Sequence, residues 1–420
     1  MEDAAQLMAL LQMLQGGGLP GLDAGAAEFL LQQQQAIHGH RAHQPQPPTV
    51  EQPINLAIKD GNADELVRLL ADGADVETRS TTNNMTPLIL ACWEQKVECV
   101  NILLANGADK AAKANDGITA LHAAGTEQIV KILIDANARI DEPNALKMSP
   151  LGWNCGPHGG SVPIAQLLID AKADLAVKDV NGDTALTSSC FWGHTPLVRV
   201  LLDAKADINL PEGNGWSPLY SAVGSLRIET VRVLLEARAD VNQAAPRRIK
   251  GLLPGGQTPL HVSCMKNGGA DPAAYQMTAR KVRELRAGGK FVIALLEHGA
   301  DVNATDTTGD TALNNAANEG DVEMARPLLR WGAKMDISAP SPSGRSLNAL
   351  TRARSHGTDS AIYKLLLTYE RLRRFRKIAN GVGALMALYS RARARVNAPG
   401  GAGYASARDE FVSAVIASSK

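Results

Sequence analysis

The apolar positions of this chain fall into a short motif that recurs, not into one continuous pattern. A Leu-Leu pair followed by a small turn and usually Asp occurs as Leu69-Leu70 to Asp75, Leu103-Leu104 to Asp109, Leu201-Leu202 to Asp207, Leu234-Leu235 to Asp240 and Leu295-Leu296 to Asp301. Weaker copies stand at Leu133-Ile134, Leu168-Ile169, Leu328-Leu329 and Leu365-Leu366. Ahead of each pair lies Thr or Ser, then Pro or Ala, then Leu. The copies are Thr86-Pro87-Leu88, Thr119-Ala120-Leu121, Ser149-Pro150-Leu151, Thr184-Ala185-Leu186, Ser217-Pro218-Leu219, Thr258-Pro259-Leu260 and Thr311-Ala312-Leu313. Degenerate copies, Gln52-Pro53-Ile54 and Asn348-Ala349-Leu350, stand at the two ends. Starts at 52, 86, 119, 149, 184, 217, 258, 311 and 348 are spaced by 34, 33, 30, 35, 33, 41, 53 and 37 residues. Self-similarity at such a period is the mark of a stacked repeat.

Each copy reads as two helices. Thr or Ser caps the first, and Pro takes the first helical position, where its missing N–H costs nothing. Nine residues after the start, Gly61, Gly193, Gly320 and Gly357 supply a left-handed residue that ends this helix. The second helix carries the Leu pair, and a Gly-Ala-Asp or Ala-Lys-Ala-Asp turn then leads into a hairpin loop. Neither helix can bury its apolar stripe alone, so a unit is stable only when stacked on its neighbours.

The motifs resemble ankyrin repeats. The matching pieces are Asp179-Val180-Asn181-Gly182-Asp183-Thr184, Gly193-His194, Thr258-Pro259-Leu260-His261 and Gly299-Ala300-Asp301-Val302-Asn303. The resemblance covers about residues 51–370 and implies an all-α solenoid of about nine helix-turn-helix units with protruding hairpins. The third unit lacks three residues between its helices, and the His of the family pattern survives only at His122 and His261. The family's use of that His implies a structural hydrogen bond to hairpin backbone.

Composition agrees with thin layers and adds few constraints. Aromatic residues are 4% of the chain, so the core is built from Leu, Ile, Val and Ala. The 43 basic and 43 acidic residues cancel, so no global field steers the chain toward nucleic acid. The acidic start Met1-Glu2-Asp3 is unlike a secretory or transit leader, and no apolar run is long enough to span a bilayer. Five cysteines without a CxxC argue for a reducing compartment, with cytosol as the expectation and the nucleus open.

Outside the repeats, residues 1–50 are rich in Gln, His and Pro and are expected to form a disordered tail. Two insertions interrupt the repeats, near 244–256 and 269–288, and are expected as exposed loops. Residues 371–395 hold eight Lys or Arg and no acid, with apolar positions at helical spacing. Two readings stay open for them: a cap that closes the last repeat, or an effector that docks a membrane or a calmodulin-like acidic partner. Membrane contact is expected only through this segment, and 396–420 form a tail with a short helix.

Nothing in the chain reads as catalytic machinery. Cys92, Cys155, Cys190 and Cys264 each fall six residues after a start, where other copies have Gly125, Val223 and Ala317. That position calls for a small buried residue, and a thiol shielded in apolar packing is inert. There is no P-loop, no HExxH and no nucleophile elbow. Carboxylates recur singly at the turns and show no convergent pair. The expectation is a non-catalytic scaffold, monomeric, without cofactor or metal, that binds a protein partner.

The resemblance implies that the partner sits on the concave side formed by first helices and hairpins. Positions that vary between copies are the seventh and eighth residues after each start and the hairpin residues just before it. They yield Trp93, Glu94, Met148, Asp183, Phe191, Trp192, Trp216, Met265, Lys266 and Asp310 as candidate contact residues, with Met85 and Ile118 at equivalent hairpin sites. Trp153, four residues after its start, is expected in the core. Asn209, Asn242 and Asn303 stand in a context similar to that which asparaginyl hydroxylases accept in ankyrin repeats, and are candidate hydroxylation positions.

Overall fold

The computed structural model describes residues 51–81, 83–157, 160–246, 255–265, 289–340 and 346–375. The 1–50 and 396–420 tails, Lys266, most of both insertions and the greater part of 371–395 lie outside the described residues. The chain divides into two compact units, one ending at Ala312 and the other beginning at Leu313.

In the first unit, helix pairs follow one another in the order that the motif predicts. They are α1 (Pro53–Asp60) and α2 (Ala63–Ala71), α3 (Pro87–Trp93) and α4 (Val97–Ala105), α5 (Ala120–Ala123) and α6 (Glu127–Asp135), and α7 (Pro150–Asn154) and α8 (Val162–Asp170). Then come α9 (Ala185–Trp192) and α10 (Thr195–Asp203), α11 (Pro218–Gly224) and α12 (Ile228–Glu236), and α13 (Pro259–Ser263) and α14 (Lys290–Glu297). First helices pack on first helices and second on second, as in α9 against α11 and α10 against α12.

The caps are those the sequence predicts. Thr86, Ser149, Thr184 and Ser217 each take the N–H of the residue three further on into a side-chain oxygen. The first leucine of the pair is the deeper one: Leu103, Leu133, Leu168, Leu201, Leu234 and Leu295 are all fully buried. In the first copy Leu69 and Leu70 are half-buried, and Leu66, one turn earlier, is the fully buried residue of α2. Gly61 and Gly193 end their helices with φ near +70° and +78°. Where glycine is absent the same turn is kept by Gln95 and Leu226, at φ +57° and +59°.

The second unit holds α15 (Ala312–Glu319, which begins at the division), α16 (Val322–Arg330) and α17 (Ala349–Ala353), followed by a 3-10 turn at Arg354–His356. A further helix, α18, spans 361–375. The strands β1 (Ser338–Pro340) and β2 (Ser346–Asn348) pair antiparallel in the hairpin before α17. Leu328 and Leu366 are fully buried, so the apolar seam continues within this unit. The α18 helix runs without a break through position 371, where composition alone suggests a boundary.

Candidate functional site

Each hairpin of the first unit is closed in one way: its opening residue donates its backbone N–H to the carbonyl of the residue just before the next cap. The pairs are Ser80 to Met85, Ala114 to Ile118, Asn144 to Met148, Asp179 to Asp183, Glu212 to Trp216 and Asp306 to Asp310, all at 2.8–3.0 Å. The enlarged hairpin keeps this closure, with Ala245 donating to Gln257 at 2.9 Å.

Where the opening residue is Asp or Asn, its side chain also holds the turn. Asp179 Oδ1 accepts the N–H groups of Asn181 and Asp183 at 2.8 and 2.9 Å. Asn144 and Asp306 hold their turns in the same manner. Short polar side chains favour this because they reach their own backbone two residues on. Glu212 occupies the same position with one methylene more. Its carboxyl accepts the Asn214 carboxamide N–H at 3.3 Å and feels the charge of Asp183 in the preceding hairpin.

The hairpins themselves bring these two carboxyls together. Gly213 donates its backbone N–H to the Asn181 carbonyl at 3.0 Å, and a Cβ on Gly182 would land on the Gly213 backbone. Burial, then the charges of Asp183 and Asp179, pushes the Glu212 carboxyl far above the usual carboxylate range. Asp179 is pushed up to about 6 by burial and by Asp183, against the turn N–H groups that stabilise its charge. Both effects favour the protonated form of Glu212. This pair corrects the expectation that turn carboxylates do not converge. The signal in the sequence was Glu at an opening position otherwise filled here by Ser, Ala, Asn or Asp.

Next to this pair, Trp216 stacks on Tyr220 with ring centroids 5.3 Å apart and planes 26° apart. Tyr220 is 2% exposed, whereas Trp216 is half-buried, and its indole N–H has no acceptor among the described residues. At the other end of α9, Phe191 and Trp192 meet edge to face at 5.2 Å and both remain half-buried. Arg227 Nε donates to the Phe191 carbonyl at 3.2 Å.

The remaining candidates are distributed along the first helices and hairpins. Trp93 is 50% exposed and Glu94 is exposed beside it. Met148, Asp183, Met265 and Asp310 are half-buried, and Lys266 lies outside the described residues. Met85 and Ile118 are buried, contrary to expectation, while Met148, Asp183, Trp216 and Asp310 at the same hairpin position keep contact with water. Trp153 is half-buried, not a core residue, and sets its edge against His122 at 6.3 Å.

The residues assigned to structure behave as such. His122 Nδ1 receives the Thr119 hydroxyl at 2.9 Å and backbone N–H at 3.4 Å, leaving Nε2 to donate to the Met148 carbonyl at 3.0 Å. His261 repeats this with Thr258 and the Asp310 carbonyl. All five cysteines are buried and none forms a disulfide, and burial raises the Cys155 thiol to about 12. Asn209 and Asn242 accept the N–H groups of Asp240 and Asp301, each at 2.8 Å, and so tie each outward turn to the next; the N–H of Asn303 donates to Asp301 at 2.9 Å. Among the described residues no cluster of His, Cys, Asp and Glu is arranged to hold a metal ion, and no helix is long and apolar enough to cross a membrane.

The repeat geometry agrees with comparison to known proteins. Ankyrin repeats (3 copies) match residues 23–114, 54–144 and 155–245, and ankyrin repeats (many copies) match 292–329. The chain belongs to the ankyrin repeat family. The first match begins ahead of the first copy counted at 52. Human SH3 and multiple ankyrin repeat domains protein 1 is 30% identical over 141 residues, 33% of this chain and 6% of that protein. The Caenorhabditis elegans ankyrin repeat and KH domain-containing protein mask-1 is 31% identical over 126 residues, 29% of this chain and 5% of its own length. Mouse inversin is 25% identical over 144 residues, 34% of this chain and 14% of inversin. The chain thus spans only a small fraction of these relatives. Ankyrin repeats are general protein-protein interaction modules.

Proposed function

We propose that this ankyrin repeat protein is a non-catalytic scaffold or adaptor that holds one protein partner on the face made by its first helices and hairpins. The observation that carries this is the set of aromatic side chains left open there: Trp93, Phe191, Trp192 and Trp216 are all half-buried or exposed in a chain with five tryptophans and five phenylalanines. Covering one such ring removes roughly 150–250 Å² from water. At ~25 cal/mol per Å², that gives an upper bound of about 4 to 6 kcal/mol for each. Glu94, Met148, Asp183, Met265, Lys266 and Asp310 form the polar and thioether remainder of the contact set. Aromatic anchors surrounded by such residues are the usual anatomy of an interaction hot spot. Buried cysteines without a disulfide suit a reducing compartment, the cytosol or the nucleus, and a monomer is expected.

The test is capture of partners with the full chain, comparing wild type with Trp192→Ala. Loss of about 2 kcal/mol or more of affinity is expected, with the thermal transition nearly unchanged. A collapse of folding would instead assign Trp192 to packing.

A second reading concerns the start of the basic segment. Leu372 and Phe375 are 50% and 71% exposed one turn apart on α18, beside Arg371 and Arg374, which suits an effector surface better than a cap. Arg373 is already paired with Asp336 at 2.9 Å and Arg374 with Glu370 at 2.9 Å, which weakens its claim as a free basic patch. Binding to anionic vesicles, lost on Leu372→Asp/Phe375→Asp, would support it; no binding to vesicles or to calcium-loaded calmodulin would dismiss it.

A further inference from the structure

We propose that the open side of α2 is a docking surface for the chain's own residues 23–31, which supply one more second helix, capped by Asp23, that covers Val67 and Leu69. The stack then begins with a half-copy ahead of the start at 52, and this face is an internal joint closed to outside partners.

Three residues mark the side as open. Leu69, the first of its pair, is half-buried, whereas Leu103, Leu133, Leu168, Leu201, Leu234 and Leu295 at the same place are fully buried. Leu56 on α1 is 47% exposed, whereas Leu90, at the same distance from the next start, is buried. Val67, two residues before its pair, is 51% exposed. The next five copies place Asn101, Lys131, Gln166, Arg199 and Arg232 there, all polar and exposed, so an apolar side chain at this point departs from the repeat's own rule. Each unit relies on its neighbours to bury its apolar face. The described residues begin at Glu51, so the layer that closes this side comes from the chain before it.

The seventh copy shows what an apolar residue at the Val67 position faces. Ile293, also two residues before its pair, is half-buried in a groove between α12 and α14, where Leu235 and Glu236 of the preceding second helix form the other wall. Leu235 is the second residue of its pair and Glu236 follows it. This position therefore looks toward the Leu pair of the copy before.

The sequence ahead of residue 51 carries such a pair in phase. Leu30-Leu31 is followed by Gln32, and Ala27 lies three residues before the pair, as Ala165 does in α8. Asp23 lies seven residues before it. From that place Asn62, Thr126, Ser161 and Asp321 cap their second helices by accepting a backbone N–H, and aspartate is among the best residues for the task. The ankyrin match that ends at 114 begins at residue 23, on this cap. In this phase Leu31 meets Val67 as Leu235 meets Ile293, and Leu30 closes over Leu69.

The connection has a length that the fold already accommodates. Leu30 lies 22 residues before the start at 52, between the 16 of most copies and the 24 of the copy with the enlarged hairpin. Glu51 accepts the Asn55 carboxamide at 2.9 Å and the Thr81 hydroxyl at 3.1 Å, so the chain enters α1 beside the next hairpin, as it does from one copy to another. Composition alone suggests a disordered tail over 1–50, because the nine residues of this signature are outnumbered by the Gln, His and Pro that follow.

The test is amide hydrogen exchange of the full chain, read by mass spectrometry. Residues 26–31 should exchange about tenfold or more slower than an unstructured chain. Val67→Gln gives α2 the residue that α8 carries at Gln166, so it should fold; it should speed exchange of 26–31 by about threefold or more while α6, α8 and α10 keep wild-type protection. Leu30→Ser should abolish the protection of 26–31 and lower that of α2. Exchange of 26–31 at the unstructured rate in the wild type overturns the proposal, and so does protection that Val67→Gln leaves unchanged. Protection that is lost on dilution, together with a dimer in sedimentation, would identify the occupant as residues 23–31 of a second copy, which also overturns it.

Discussion

The carboxamide of Gln95 bridges two repeats, its Oε1 accepting the backbone N–H of Gly125 at 3.2 Å while its Nε2 donates to the carbonyls of Cys92 and Ala123 at 2.8 and 3.4 Å. The third copy lacks three residues between its helices, and α5 is correspondingly only four residues long. Gln95 thus satisfies backbone groups that the missing residues leave open, and it does so from a left-handed conformation, φ +57°. Gln95→Ala should lose these bonds and keep the strain, costing about 1 to 2 kcal/mol in urea unfolding. Gln95→Gly relieves the strain and should cost less. If the two variants are equally stable, the backbone conformation contributes nothing.

Two imidazoles set the acid limit of stability. Burial lowers His122 to about 4 and lowers His261 in the same direction. A histidine depressed in the folded state stays neutral there while the unfolded chain takes up a proton, so its contribution is complete above about pH 6.5 and is lost as pH falls toward 4. Urea midpoints measured from pH 7 down to 4.5 should fall steeply for wild type. His122→Asn/His261→Asn should start lower and decline less. Parallel curves would show that other groups carry the acid limb.

The Asp183–Glu212 pair acts in the opposite sense. Glu212 is raised in the folded state, so the folded chain keeps a proton that the unfolded chain has released. Stability is therefore greatest below the ordinary carboxylate range and declines as pH rises through it toward the folded value. Glu212→Gln supplies a permanent donor to Asp183 and should be more stable than wild type at pH 8, by roughly 1 kcal/mol or more, with little difference at pH 4.5. A variant less stable at both pH values would mean that the carboxyl makes contacts an amide cannot replace.

The architecture was legible because it repeats. The Thr-Pro-Leu caps, the Leu pairs and the glycines nine residues after four of the starts are local signals, and the buried Leu103, Leu201 and Leu295 confirm their register. The candidate face was legible at coarser grain. Trp93 is exposed and Trp192 half-buried at the positions counted from their caps, but that count could not tell Met85 from Met148, because the burial of the same side chain at this hairpin position depends on its neighbours. The convergence of Asp183 and Glu212 was missed for a geometric reason. They are 29 positions apart in sequence, and they meet because Gly182 and Gly213 allow two hairpin backbones to close together.

The asparagines of the outward turns test whether modification and folding compete. Asn242 accepts the Asp301 N–H at 2.8 Å and donates to the Gly299 carbonyl at 3.2 Å, so one side chain joins the sixth and seventh copies across the longer insertion. Asn209 makes the equivalent bond to Asp240. Removing either acceptor orphans a turn N–H, and because the repeats are stable only as neighbours, the loss is felt as weakened coupling between copies. Asn242→Ala should therefore cost about 1 to 2 kcal/mol and broaden the unfolding transition. Co-expression with an asparaginyl hydroxylase should add the mass of one oxygen atom at one or more of Asn209, Asn242 and Asn303. For Asn209 and Asn242 the side chain must leave the stack to be modified, so a chain loosened elsewhere, as by Gln95→Ala, should be modified faster. An unchanged intact mass in both backgrounds would remove the modification reading and leave these asparagines as structural clamps.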